Sequence, residues 1–255
     1  MDRIGIVGLG LMGGSLARSL RALPRPPFVR AVSLASEDLR LALEADIIDE
    51  GISTEKVSFR DLDLLVYCTP LKTTLALIPT HREFLGQGTV VTDVVSLKAP
   101  VLGVAREVGL GDAFVGSHPM CGGEGSGFRA SRAGIFGGAR IWLVSEEASS
   151  ASEERVRDFW ASLGGDVAPI GASDHDRLMA LVSHLPQLTS NALGAVLAGF
   201  GVRRADLGPG GKDMTRLAGS NPEMWMDLLE YAPETLSEAV SALAESLGDL
   251  RGQLD

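Results

Sequence analysis

The sequence predicts an α/β domain with a doubly wound, parallel sheet over residues 1–171, followed by an all-helical domain over residues 172–255. Three observations predict it. Short β-rich runs alternate with helical patterns through the first two-thirds of the chain. Several of those runs are almost continuously apolar, as strands covered on both faces require. Beyond about residue 171 the strand patterns cease.

The runs are IGIVG (4–8), VRAVSL (29–34), LDLLVYC (62–68), TVVTDV (89–94), AFVGS (113–117), ARIWLV (139–144) and VAPI (167–170). Helical stretches at 12–22, 37–45, 72–84, 98–107 and 151–163 lie between them, so the chain reads as successive βαβ units with parallel strands. Residues 173–200 read as one long helix, with Ser173 as its N-cap and a kink at Pro186. LGPGG (207–211) reads as a turn leading into KDMTRLAGS and a final helical stretch from Pro222. The Met, Trp and Leu content of this third predicts a homodimer formed through the helical domain.

Composition narrows the function. Hydrophobic residues make up 45% of the 255, ample for a core. The formal charge is −10 with no Lys/Arg stripe, which argues against a nucleic-acid partner and means that a small anionic substrate needs a local cationic pocket. The two cysteines, Cys68 and Cys121, are too few for a disulfide framework or a zinc cluster and point to a reducing compartment, the cytoplasm. MDRIGIVGLG lacks the form of a signal peptide, and no apolar run reaches about 18 residues, so no membrane span is expected. The helical third runs to the C-terminus, with no appended regulatory segment expected.

IGIVGLGLMGGSLARSL carries Gly8, Gly10 and Gly13 in G-x-G-x-x-G spacing. The spacing alone is weak, but here it follows an apolar strand and opens a helix, the context of a dinucleotide-binding Rossmann domain. Gly8 permits the tight turn, Gly10 lets backbone approach a pyrophosphate, and Gly13 lets helix and strand pack closely. The cofactor is NAD or NADP, held by Gly8, Gly10, Leu11, Met12, Gly13, Ser33, Thr69 and Pro70. An acidic residue commonly closes the second strand to hold the ribose, whereas AVSLASED places Ser33 there. Ser33 and Ser36 suit a 2′-phosphate while Glu37 and Asp38 repel one, so the choice between the two cofactors stays open.

Ligands in an open α/β sheet sit beyond the carboxyl ends of the strands. CTP (68–70), DVVSLK (93–98) and SHPM (117–120) fall there, and the last puts His118 at a strand end facing the nicotinamide region. Position alone leaves His118 either catalytic or structural. In DMTRLAGS, Asp213, Arg216 and Ser220 share one face if the segment is helical; Arg216 then forks onto a carboxylate with Asp213 orienting it, or forms a surface ion pair. His184, Gln187 and Asn191 make a polar stripe on an apolar helix, which needs either buried partners or a ligand.

These residues belong to an ordered set: GLGLMGGSLA, DVVSLK, GSHPMCGGEGSG, SHLPQLTSNAL and DMTRLAGSNPEMW. With them the chain resembles the prephenate/arogenate dehydrogenases of tyrosine biosynthesis over nearly its whole length. The resemblance implies a Rossmann domain plus a helical dimerisation domain, and oxidative decarboxylation of prephenate, or of arogenate, with hydride transfer to NAD(P)+. It implies that His118 bonds the substrate's ring hydroxyl and takes its proton, that Ser96 assists, and that Arg216 binds substrate carboxylate with Ser220 nearby. His184, Gln187 and Asp213 complete the implied substrate site, and no metal is called for. Cys121 stands where the family usually has alanine, which reads as packing. Gln187 stands where some members have a second histidine, and its neutrality favours prephenate, a keto acid, over arogenate. Two other readings compete. β-Hydroxyacid dehydrogenases place a catalytic lysine on the first helix of their second domain, yet no lysine occurs between 99 and 211. A dinucleotide sensor has no use for His118, Ser96 and Arg216 together.

Overall fold

The computed structural model describes residues 1–53, 57–123, 125–220 and 222–254, without the side chains of 222–224; Glu124 and Asn221, which fall inside two of the motifs above, lie outside the described residues. The chain forms two compact units, Met1–Ser173 and Asp174–Asp255.

The first unit is built on an eight-stranded sheet. Its strands are β1 (Arg3–Val7), β2 (Phe28–Val32), β3 (Glu50–Ile52), β4 (Leu64–Tyr67), β5 (Val90–Asp93), β6 (Phe114–Pro119), β7 (Arg140–Val144) and β8 (Asp166–Pro169). The spatial order is β3-β2-β1-β4-β5-β6-β7-β8. The chain winds outward from β1 through β2 to β3, then returns to β4 and proceeds the other way, which makes the gap beyond β1 and β4 the topological switch point. Five helices cross between strands: α1 (Leu11–Arg21), α2 (Ser36–Glu44), α3 (Leu71–His81), α4 (Ala99–Glu107) and α5 (Ser150–Ser162). Ile4, Ile6, Val29, Ala31, Leu64 and Val66 are buried on one face of the sheet and Val7, Val32, Leu65 and Tyr67 on the other, which is why these strands read as largely apolar runs.

Two strand expectations need correction. β3 was not legible as a strand, because EGI is three residues without alternation; it forms by pairing Arg30–Val32 with Glu50–Ile52 at the sheet edge. The sheet is also not wholly parallel. β7 runs antiparallel to β6, with Ser117 opposite Leu143 and His118 opposite Trp142. Among the described residues no α-helix joins them; residues 128–134 instead pack over α1, where Phe128 is buried, Arg132 N–H donates to Ser15 Oγ and Gly134 N–H to Ser19 Oγ, both at 3.1 Å. A connection that returns on the same side reverses the next strand.

The second unit contains α7 (Leu185–Gly199), α8 (Pro209–Met214), α9 (Pro222–Glu230) and α10 (Glu234–Gly252), and begins within α6 (Ala172–Met179). The long helix expected over 173–200 is continuous but widened: Ala180–His184 is a π turn in which Leu185 N–H donates to Ala180 O. Pro186 explains it, since its ring crowds the carbonyl four residues earlier and cannot donate to it, so the turn before it expands where a sharp kink was expected. Ser173 lies inside the first turn, after Ala172, and is not the cap. Gly210 and Gly211, read as a turn, belong to α8. Among the described residues no helix is long and apolar enough to cross a membrane.

Gly13 carries the tightest constraint in the unit. A Cβ there would lie 1.9 Å from the Gly8 carbonyl oxygen. Gly13→Ala is therefore expected to destabilise the protein by about 1–3 kcal/mol, the cost of overpacking a close contact, read as a lowered Tm in calorimetry.

Candidate active site

The carboxyl ends of β1, β2, β4, β5 and β6 lie along one edge of the sheet, because these strands are parallel. Each of the expected residues of the first unit stands at that edge. β1 ends at Val7 and turns at Gly8, whose φ of +92° is open to glycine and strained for other residues. Gly8 N–H donates to Val32 O at 2.8 Å, which fixes the turn against the end of β2 and places Ser33 directly beyond it. Cys68 N–H donates to Val7 O at 2.7 Å, and a Cβ on Gly8 would lie 2.7 Å from Thr69 Cγ2, so the 68–70 segment packs on the glycine turn. Thr69 is tied to α3 by the Thr69 Oγ1···Thr74 Oγ1 bond of 2.8 Å, and Pro70 is the N-cap of α3.

This arrangement fits a dinucleotide. α1 starts after Gly10 with no side chain capping it, and a Cβ at Gly10 would meet nothing within 4 Å. The amides of the first turn are thus presented to open space, the condition for receiving a pyrophosphate. Leu11 and Met12, in that turn, are half-buried. Beyond β2, Ser33 Oγ accepts from Ala35 N–H at 3.2 Å. Glu37, expected to repel a 2′-phosphate, is engaged by Arg40 at 2.8 Å and by Arg129 at 3.5 Å. Arg40 and then Arg129 hold its carboxyl below the usual range. Its charge is therefore partly neutralised, by Arg40 one helical turn away and by Arg129, which sequence spacing does not bring near it.

The ends of β5 and β6 carry Ser96 and His118. Ser96 is half-buried in the turn between β5 and α4, and His118 is buried as the penultimate residue of β6. Between them lies an ion pair that sequence reasoning passed over. Lys98 and Asp93 are both fully buried and bonded Nζ to Oδ2. Lys98 Nζ also donates to Ser117 O at 2.7 Å, while Asp93 Oδ1 accepts from Ser117 N–H at 3.1 Å and Oδ2 from Val95 N–H at 3.0 Å. Burial pushes the Asp93 carboxyl up; the Lys98 charge and the two amides pull against it. A signal was present: between Phe84 and Ala105 these are the only charged residues, of opposite sign, in an apolar segment. Ser117 is held at its side chain too, with Thr92 Oγ1 at 2.7 Å and Trp160 Nε1–H donating at 2.9 Å.

In the second unit Gln187 and Asn191 of the expected stripe are satisfied internally, whereas His184 is not. Gln187 is buried; its Nε2 donates to Leu217 O at 2.6 Å and Asn191 Oδ1 at 3.0 Å, and its Oε1 accepts from Ser220 Oγ at 3.3 Å. Gln187 thus ties α7 to the segment that carries Arg216 and Ser220. That segment is not one helix: α8 ends at Met214, Leu217–Gly219 is a short 3-10 turn, and Ser220 is extended. Asp213, Arg216 and Ser220 therefore do not share a helix face, because the chain breaks from α geometry at Thr215. Arg216 and Asp213 are exposed. His184 is buried against Trp225, ring centres 5.8 Å apart and edge to face. Burial lowers its pKa, against the raising field of Asp176. His184 Nδ1 and Trp225 Nε1 are buried with no hydrogen-bond partner among the described residues.

The whole arrangement has counterparts. Residues 16–168 match the family model described as prephenate dehydrogenase, nucleotide-binding domain, and residues 171–254 match prephenate dehydrogenase, dimerization domain. The chain belongs to the prephenate dehydrogenase family. It is 28% identical to the cyclohexadienyl dehydrogenase of Zymomonas mobilis, over 91% of this chain and 82% of that one. Its structure is similar to that of prephenate dehydrogenase from Aquifex aeolicus in complex with hydroxyphenyl propionate and NAD+, with a TM-score of 0.92, 30% identity, and coverage of 100% and 91%. It is also similar to Synechocystis arogenate dehydrogenase, with a TM-score of 0.82, 27% identity, and coverage of 99% and 91%. Membership makes the chain an oxidoreductase whose first domain binds a nucleotide, as the sequence led us to expect.

The buried pair yields a stability prediction. Lys98→Met leaves Asp93 charged and uncompensated, which is expected to destabilise the protein by about 3–5 kcal/mol in denaturant unfolding. Asp93→Asn/Lys98→Met removes both charges but leaves the Ser117 carbonyl without its donor and one acceptor oxygen for the Ser117 and Val95 amides, at about 1–3 kcal/mol for each group left unpaired.

Proposed function

We propose that this chain oxidatively decarboxylates prephenate to 4-hydroxyphenylpyruvate, with NAD+ or NADP+ as oxidant, in tyrosine biosynthesis. The observation that carries the reading is the placement of His118 and Ser96 on adjacent strand ends, along the same sheet edge as the uncapped glycine turn of α1. When bound there, the nicotinamide accepts a hydride from ring C4. The protein's part is to orient the ring and remove a proton, since loss of the C1 carboxylate as carbon dioxide makes the ring aromatic and supplies most of the driving force.

His118 takes the proton of the C4 hydroxyl, and Ser96 holds that hydroxyl in line. A neutral imidazole suits this role near pH 7. Arg216 forks onto a substrate carboxylate, with Ser220 adding a hydrogen bond. Gln187 supports Ser220 with its side-chain oxygen, which leaves one lone pair of that oxygen for substrate. His184 offers its buried Nδ1. Prephenate is a dianion approaching a chain of formal charge −10, so a fixed guanidinium is needed to offset the net field.

A homodimer through the helical domain is part of the same reading, in the cytoplasm. Its support is the apolar surface of the second unit, where Val196, Phe200, Met214, Met226, Leu247 and Leu250 are exposed. The deciding experiment is initial rates with prephenate and arogenate, each with NAD+ and NADP+. The reading predicts the prephenate arms to be faster; activity with arogenate alone overturns the substrate assignment.

His118→Asn keeps a hydrogen bond to the hydroxyl but cannot take its proton, so kcat is expected to fall about 10²–10⁴-fold with KM little changed. Near-normal turnover would return His118 to a structural role. For Arg216→Ala the expected signature is the reverse: KM for prephenate at least about 30-fold higher and kcat much less affected, since a carboxylate loses its partner in ground state and transition state alike.

A further inference from the structure

The turn that carries Ser96 and the strand that carries His118 are both closed by the same two side chains. β5 and β6 pair as Val91 with Phe114 and Thr92 with Val115, and the register goes no further. Past that point the ladder is continued by side chains. Asp93 Oδ1 receives the Ser117 amide and Lys98 Nζ reaches the Ser117 carbonyl, which is half of the peptide bond joining Ser117 to His118. On its other side β6 is held by β7, with His118 opposite Trp142 and Met120 N–H donating to Arg140 O at 2.8 Å. The backbone that sets the direction of the His118 side chain is thus fixed from both edges.

The same pair sets the Ser96 turn. Asp93 and Lys98 stand on either side of residues 94–97, and their bond closes that loop, with Val95 N–H tied into Asp93 Oδ2. Residue 116 has to be small for this to happen: a Cβ there would lie 3.2 Å from Lys98 Cδ, so the lysine stem occupies the space above Gly116. Burying two charges is unfavourable unless their remaining hydrogen-bonding capacity is met, and a neutral pair would hold the fold at lower desolvation cost. A charged clamp on a single peptide gives directional, short bonds that apolar packing cannot.

Resting on the reading of His118 as the base, we propose that Asp93 and Lys98 are positioning residues for the reaction. Together they hold the Ser96 turn and the Ser117–His118 peptide in the one relative placement at which both side chains meet the substrate hydroxyl. They are fully buried and act through His118, and through Ser96 beside it. Displacements on the order of 1 Å at a reacting group lower rates by about 10²-fold, which sets the scale of the effect.

The test is a double-mutant cycle on the intact protein, between the pair and His118, with prephenate and saturating dinucleotide. Asp93→Asn/Lys98→Met removes the clamp without stranding a charge; Lys98→Arg keeps the charge but changes the donor geometry at the Ser117 carbonyl. Folded fraction is taken from circular dichroism, and turnover is expressed per folded molecule. The expected result is a kcat about 10–100-fold lower in either pair variant, with KM within about 3-fold of the parent. In a His118→Asn background the same substitutions should change kcat by less than about 3-fold, because the proton transfer that depends most on their placement is gone and only the hydrogen bonds to the hydroxyl remain. Amide exchange at Ser117 should accelerate in the neutral double variant. Unchanged turnover per folded molecule in both pair variants, beside a crippled His118→Asn, overturns the positioning role and leaves the pair structural. Equal losses in both backgrounds also overturn it, since the pair then acts independently of His118. Near-normal turnover of His118→Asn by itself overturns the assignment of the base, and the positioning role with it.

Discussion

A charge pair with no access to water persists only if nearly every hydrogen-bonding group around it is satisfied, and this condition organises the edge of the sheet where β5 and β6 end. Asp93 and Lys98 meet it with the Ser117 peptide and the Val95 amide. Ser117 must then lie beside the end of β5, its hydroxyl between Thr92 and the Trp160 indole, which brings α5 against the same strands. Burial of Trp160 among Phe136 and Phe159 stiffens that support. The polar contacts and the aromatic packing thus fix one arrangement of β5, β6 and α5, and two candidate reacting groups project from its end.

The dinucleotide edge obeys a different constraint, close approach of backbone to backbone. Gly13 sits against the Gly8 carbonyl, and the 68–70 segment sits against Gly8. Few polar side chains are needed, since the helix start itself presents the amides. The ribose edge depends on charges gathered from afar. Arg129, from the connection that follows β6, reaches Glu37 at the start of α2 and reduces the repulsion that its carboxylate offers to a phosphate. The same connection is the one that turns β7 antiparallel.

The helical unit uses one amide where the sheet unit uses an ion pair. Gln187 joins α7 to the Leu217–Ser220 segment through two hydrogen bonds. Ser190 adds a third tie by accepting the Ala218 amide at 3.0 Å. The π turn at Ala180–His184 shifts the residues that follow it relative to α6, and His184 is the last residue of that turn. A widened turn frequently marks a functional position, because it spoils one helical hydrogen bond to redirect a side chain.

The sequence by itself determined the positions of every strand of the sheet unit but β3, its helices, the glycine turn and the all-helical character of the last third. Those features rest on local periodicity and on glycines whose spacing has a mechanical reason, and local patterns survive in one dimension. His118, Ser96 and Arg216 were legible as motif members, and the edge on which the first two stand followed from the rule for parallel strands. Tertiary structure alone decided the rest. The reversal of β7 depends on a connection packing over α1, and β3 exists only because β2 offers it an edge. The face shared by Asp213, Arg216 and Ser220 dissolved once the helix ended at Met214, a break imposed by the ties to α7. Asp93 and Lys98 were visible as isolated charges, but the Ser117 peptide they hold lies nineteen residues beyond Lys98. Hydrogen-bond satisfaction is a property of three-dimensional neighbours, and a sequence shows only which groups will need them.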